Sequence, residues 1–310
     1  MDLSAINPVV LIASLMVAAT PILLAGMGEL VVEKSGVLNL GVEGMMIVGA
    51  VSGFAVAATT GNPYLGMLAS IAAGAALAAI FALLTQVLMA NQVASGLALT
   101  LFGLGFSALV GQSYVGIVPP RTEKLTFGPL TDLPVLGRIL FNQDILVYAS
   151  IALVAAVWYW LRATRSGRVL RAVGENHDSA HALGYKVRRV RVLAILFGGA
   201  CAGLGGGYLS LIRVPQWTEG MTAGAGWIAL ALVVFASWRP WRLLGGAYLF
   251  GGIMVLQFNL QAAGLRIPVE YLAMSPYLIT ILVLVVMSSN RARSSLSAPG
   301  SLGRSFHAAG

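Results

Sequence analysis

Charged positions are so sparse along most of this chain that several windows of about twenty residues contain none. At 1.5 Å rise per residue, about twenty apolar residues cover the hydrocarbon core of a bilayer, so each such window predicts a transmembrane helix. The first runs over 8–27, with Pro21 expected to kink it. The stretch 28–46, GELVVEKSGVLNLGVEGMM, is too polar for a lipid-facing helix. Apolarity then resumes to Thr60, and Gly61-Asn62-Pro63 marks a turn. Further spans follow at 64–90 and 93–116, separated only by Asn91-Gln92. The connector 117–144 holds Pro119, Pro120, Pro129 and Pro134 and has no periodicity. Beyond it lie spans at 145–161, 192–212, 243–265 and 271–287. A short, weakly apolar stretch at 227–238 is stopped by Arg239-Pro240-Trp241-Arg242. The pattern predicts an all-α integral membrane protein, a polytopic bundle of about eight to ten transmembrane helices with one or more broken or re-entrant segments. Residues 28–46 and 213–238 are the candidates for those breaks. The membrane domain takes in 1–288, and the Ser-, Ala- and Gly-rich tail, 289–310, reads as disordered.

Composition agrees. Hydrophobic residues make up 58% and charged residues 10% of the chain, where soluble proteins carry roughly 25% charged residues. The net charge of +8 needs no nucleic-acid partner, because eight of the nineteen Lys and Arg lie in the loop 162–191 against Glu175 and Asp178. The positive-inside rule puts that loop in the cytoplasm. Lys34, the 239–242 cluster and the tail then share its side, the N-terminus and 117–144 lie opposite, and nine crossings result. The first span lacks a basic flank and reads as retained rather than cleaved. The single cysteine, Cys201, allows no internal disulfide.

Within the basic loop, Gly174 to Gly184 reads as one short helix between two glycines. Asn176 is its N-cap, Asp178 lies in the first turn, Ala180 and Leu183 share a face, and Gly184 stops it. Two turns are too few for stability alone, so this helix must dock on something. Flanking arginines would attract anionic lipid headgroups, but that attraction does not account for a capped helix. His177 and His181, four apart, lack the further ligands a metal site needs. No lysine follows a glycine in a phosphate-binding loop. No residue reads as catalytic.

Polar residues inside the apolar segments are candidates for a solute path. Glu43, four residues after Asn39, is either a path-lining or gate residue or a helix-start carboxylate favoured by the dipole. Gln257 and Gln261 lie one turn apart on one face, beside Asn259. These amides, with Asn91 and Gln92, either bind solute or join helices. Trp217, Glu219 and Trp227 flank a glycine-rich bend, where aromatic rings either stack on a planar solute or anchor at the interface. Gly199, Gly203 and Gly207 form a small-residue row that admits a neighbouring helix. A secondary transporter would want several intramembrane carboxylates, and only Glu43 is read as lying in a span. An integral membrane enzyme would want clustered His, Asp or Glu at one face.

Four stretches carry a resemblance: GELVVEKSGVLNLGVEGMMIVGA (28–50), NQVASGLALTLFGLG (91–105), RAVGENHDSAHALGYKVRRVR (171–191) and GMTAGAGWIALALVVF (220–235). In order and spacing they resemble permease subunits of ABC importers, in the branch that takes nucleosides and simple sugars and is related to ribose and branched-chain amino acid permeases. The resemblance covers all but the tail. It implies a multi-pass protein of the bacterial inner membrane that pairs with a second permease and receives solute from an extracytoplasmic binding protein. Partner ATPase chains would use ATP and Mg, with no cofactor bound by this one. Gly174, Glu175, Asn176, Ala180, Leu183 and Gly184 match the family's coupling helix, which sits in a groove of the ATPase. Lys34, where arginine is usual, His177, where proline is usual, and Ala225, at a commonly basic position, depart from the pattern. The solute implied is a nucleoside, with simple sugars or nucleobases as the alternative.

Overall fold

The computed structural model describes residues 8–131, 133–262 and 298–307, with isolated positions between 271 and 285. Helix α1, Pro8–Lys34, runs through Pro21 and continues to its basic end. The polar stretch after residue 27 is thus helical as far as Lys34, and the break falls later, at 35–41. Helices α2 (Val42–Thr60) and α3 (Pro63–Ala82) meet at a tight turn. There Gly61 takes the left-handed conformation at φ 69° and the Asn62 side chain caps α3. A π turn at Leu83–Val87 ends α3, and Asn91 caps α4, Gln92–Gly111. The proline-bearing connector contains one short helix, α5 (Leu136–Leu140). Asp144 then caps α6 (Ile145–Ala163) and also accepts from the Tyr208 hydroxyl at 2.7 Å.

The basic loop holds two helices, not one. These are α7 (Arg165–Glu175), capped by Thr164, and α8 (His177–Ala182), capped by Asn176. Gly174 lies inside α7 rather than at a helix boundary. Helix α9, Val187–Tyr208, ends in a second π turn at Leu209–Arg213. After an irregular stretch come α10 (Ala225–Phe235) and α11 (Pro240–Ala262). Among the described residues, seven helices are long and apolar enough to cross a membrane, and α10 is too short. The expected span at 271–287 lies almost wholly outside the described residues.

Helix α9 is the axis of the bundle. It packs antiparallel to α1, with Gly198 against Gly28 and Gly205 against the Pro21 carbonyl. Its Gly199 and Gly203 meet Gly74 of α3, and Gly203 also meets Gly49 of α2, leaving no room for a Cβ at either contact. Membrane helices gain little from apolar burial against one another, so close backbone approach at small residues is what holds them.

Five basic residues converge at one end. Lys34, Arg162, Arg171, Arg239 and Arg242, with Trp158, Trp238 and Trp241, line a cavity of about 620 Å³. Within the tail expected to be disordered, residues 298–307 pack on this same end with Phe306 and Ser301 buried, and the rest of 289–310 lies outside the described residues. Gly303 N donates to the Gly36 carbonyl at 3.2 Å.

Gly203→Leu is expected to cost about 3 kcal/mol by overpacking and to lower the yield of monodisperse protein in detergent. Gly245→Ala, at a position with open space around it, is the control and should melt like the parent.

Candidate functional site

Two segments leave helical geometry between the spans: 35–41, which side chains satisfy among buried helices, and 214–224, which is exposed over most of its length and is held at its end by Glu43. In the first, 35–41, the chain turns back along the last turns of α1. Asn39 N and Nδ2 donate to the two oxygens of Glu29, at 3.3 and 3.4 Å, and Asn39 Oδ1 accepts from Gly41 N at 3.0 Å. Leu38 N donates to Gln92 Oε1 at 2.8 Å. The Leu40 carbonyl accepts from Thr100 Oγ1 at 3.1 Å, and that of Ser35 from Arg191 Nε at 3.2 Å. One turn from Glu29, the Glu33 carboxylate accepts from the Trp238 indole N–H. The Lys34 ammonium lies 5.9 Å from the centre of the same ring, within cation–π range.

The second segment, 214–224, comes back among the helices and ends on Glu43. Oε1 of Glu43 accepts from Thr222 Oγ1 at 2.5 Å and Gly224 N at 3.0 Å, and Oε2 accepts from Gly226 N at 2.7 Å. Glu43 is thus both an acid in the first turn of α2 and the anion at the N-terminus of α10. Two positive helix ends meet on one buried carboxylate. Gly224, at φ +83°, supplies the left-handed turn that aims these amides at it. Gly226 packs directly on the Glu43 backbone.

The remaining path candidates do not gather in one chamber. Asn91 is exposed and spends its side chain on Ala94 N. Gln92 is buried, and its Nε2 finds no partner among the described residues. The same holds for Nε2 of Gln261, which lies half-buried on α11 with Gln257. Trp217 is buried edge-on to Gly111 at the end of α4. Glu219 is exposed, and Trp227 is 37% exposed.

At the basic end, Asn176 Oδ1 accepts from Ser179 N at 2.9 Å and Gly184 turns left-handed at φ +85°. Ala180 faces inward with Val173, Val187 and Phe306. Leu183 is 75% exposed, and Glu175 and Gly184 are exposed too. Gly174 abuts the Lys34 carbonyl, so α7 rests directly on the end of α1. Arg191 is fully buried and has three acceptors: the Ser35 carbonyl, the Arg304 carbonyl at 2.9 Å and His177 Nδ1 at 3.2 Å. An imidazole that accepts from a guanidinium is neutral, with its proton on Nε2, 3.5 Å from Asp178. Burial, and then Arg191, hold the His177 pKa below its usual value.

Sequence reasoning missed Glu29, Glu33, Thr222, Trp238 and Arg191. The spacing of Glu29 and Glu33 was a usable signal, since four residues place both on one helix face. Treating 28–46 as non-helical concealed it. The expectation of a single intramembrane carboxylate is thereby corrected: Glu29, Glu33 and Glu43 are all buried.

Residues 11–287 match the family described as branched-chain amino acid transport system / permease component. The chain belongs to this family. Among curated relatives, permease protein TsgC13 of Haloferax volcanii, provisionally named for glucose, is 46% identical over 254 residues, 81% of this chain and 77% of its own. The guanosine ABC transporter permease NupQ of Bacillus subtilis is 34% identical over 300 residues, 92% of this chain and 93% of its own. The nucleoside permease NupC of Lactococcus lactis is 30% identical over 290 residues, covering 89% and 92%. No solved structure matches the chain significantly. The protein is an ABC transporter permease, a multi-pass transport component of a membrane.

Removing the Glu43 carboxylate leaves three donors without an acceptor, and the two buried ones, on Thr222 and Gly226, cost about 1–3 kcal/mol each. Glu43→Ala is therefore expected to lower the melting temperature of the detergent-purified permease sharply, whether or not solute is present. A residue that only touched solute would leave the ligand-free melting temperature unchanged.

Proposed function

We propose that the chain is one of two permease subunits of an ABC importer in the plasma membrane. In this reading an extracytoplasmic binding protein delivers nucleosides, and ATPase chains that use ATP and Mg dock on the cytoplasmic loop 164–186. The observation that carries it is the division of labour on α8. Ala180 is packed inward while Leu183, at the tip, offers a large apolar side chain to a partner. Glu175 stands beside it, exposed.

Displacement of α8 has a continuous route to the buried segments. His177 is tied to Arg191, Arg191 to the backbone of 35–41, and that loop to Glu29 and α4. Glu43 follows immediately and holds α10. Asn39, Gln92, Gln257 and Gln261 are the amides that would face a polar solute as these elements shift, with Trp217, Glu219 and Trp227 towards the opposite mouth. Alternating access then consists of small packed shifts, since close-packed helices switch between arrangements rather than deform. Guanosine and nucleoside permeases that align over nearly the whole chain support the nucleoside reading. The 46% identity to TsgC13 favours a second reading, with glucose as solute.

Leu183→Asp is expected to cost about 2 kcal/mol or more of ATPase docking, as an interface anchor does. It and Glu175→Ala should lose ATP-driven uptake while reaching the membrane at parent levels. Normal uptake in both variants would remove the coupling role. Labelled guanosine uptake should be inhibited by unlabelled nucleosides and not by glucose; the reverse pattern would make glucose the solute.

A further inference from the structure

Two features at the basic end have no part in the reading above, His181 and the packed tail, and the tail meets both His181 and the His177–Arg191 pair that does. They form one assembly. Ser301 N donates to the Gly174 carbonyl at 2.8 Å. Its Oγ accepts from His177 N at 3.2 Å and donates to the Glu175 carbonyl at 3.4 Å. One serine therefore satisfies both the last turn of α7 and the first amide of α8. Phe306 is buried and edge-on to both imidazoles, with centroids 5.5 Å from His177 and 5.2 Å from His181. Arg191 Nη1 and Gly303 N bind the tail to α9 and to the 35–41 loop.

A six-residue helix has no stability of its own. The inner face of α8 is small, Ala180 being its one buried apolar residue, and the tail adds Phe306 to that face. We propose that residues 298–307 are a strut that positions the coupling helix, seating α8 on Phe306 and joining it through Ser301 and Arg191 to the ends of α7, α9 and the α1–α2 loop. The His177/His181 spacing then serves as a cradle for one aromatic ring. Seen this way, the tail makes α8 stiff enough to pass a push inward instead of folding under it. The functional half of this proposal rests on the coupling role of α8; the structural half does not.

Protonation should loosen the strut. His177 faces Arg191 from α9, Asp178 from its own helix, and Arg304 and His307 from the tail. A proton on Nδ1 would replace an acceptor with a donor facing a guanidinium. Because the docked imidazole has a lowered pKa, docking is at full strength above the ordinary histidine value of about 6.5. It weakens as pH falls from there through the docked value.

The test uses the assembled transporter in nanodiscs, with the chain ended after residue 297 or carrying Phe306→Ala, and Phe306→Tyr as the conservative rescue. Amide exchange of 177–183 should rise about tenfold or more in the first two, the factor that corresponds to roughly 1.4 kcal/mol of lost docking. Exchange in α2 and α4 should stay unchanged. ATP-driven uptake should fall while ATP hydrolysis persists, and Phe306→Tyr should restore both readouts. In the parent, protection of 177–183, taken as exchange relative to the intrinsic amide rate at each pH, should fall as pH is lowered from 7.5 to about 5.5. Unchanged exchange after truncation, or raised exchange with parent or higher uptake, would overturn the proposal. Leu183→Asp separates the two readings. If it leaves uptake intact, the coupling role fails, while the strut still stands or falls on the exchange of α8.

Discussion

Peptide groups that leave helical geometry among buried apolar helices must find partners in the protein, since hydrocarbon offers none. Residues 35–41 do so throughout and 222–224 at the buried end of a largely exposed segment, and the buried polar side chains are where these backbones need them. Glu29, Asn39, Gln92, Thr100 and Arg191 answer the amides and carbonyls of 35–41. Glu43 accepts from the Thr222 hydroxyl and from the amides of Gly224 and Gly226. What looks along the sequence like scattered intramembrane polarity is a single solution to one constraint. It fixes how α1, α2, α4 and α10 sit on α9, whose glycines let them approach.

Arg191 is the most exacting part of that solution. A buried guanidinium without a carboxylate in contact is costly unless each nitrogen has an acceptor for one of its N–H donors. Here they go to a loop carbonyl, a tail carbonyl and an imidazole, each on a different element. Three elements remote in sequence are thereby fixed to one residue of α9. The arrangement gives α8 a rigid seat at the basic end and, through the loop, a short mechanical route to Glu43 and α10.

The membrane class, the basic end and the capped α8 were legible because they depend on local signals: charge-free runs, arginine placement, and Asn176 before an acidic first turn with Gly184 after it. Small residues four apart likewise announced the packing faces of α9. The buried network was not legible. Glu43 finds its partners 179 to 183 residues away, and Arg191 meets Ser35 across 156. Helices apolar on every side, such as α1 and α2, give no periodicity from which their inward faces could be read. The packing of 298–307 was not legible because the composition there is that of a disordered segment, while Ser301 and Phe306 each fill a specific site that the rest of the chain builds. Gly174 was read as a helix end, yet it is the point where α7 touches α1.

Coupling through α8 depends most on that helix and the 35–41 loop moving as one unit. Pulsed EPR distances in the assembled transporter, between labels at exposed Ser179 on α8 and exposed Val93 in the first turn of α4, address this directly. Gln92 and Gly96 hold that turn against the loop. Across nucleotide-free, ATP-bound and post-hydrolysis states, the Ser179–Val93 distance should stay constant while that from Ser179 to Tyr64, at the opposite end, changes. A Ser179–Val93 distance that changes as much as the reference pair would contradict the account.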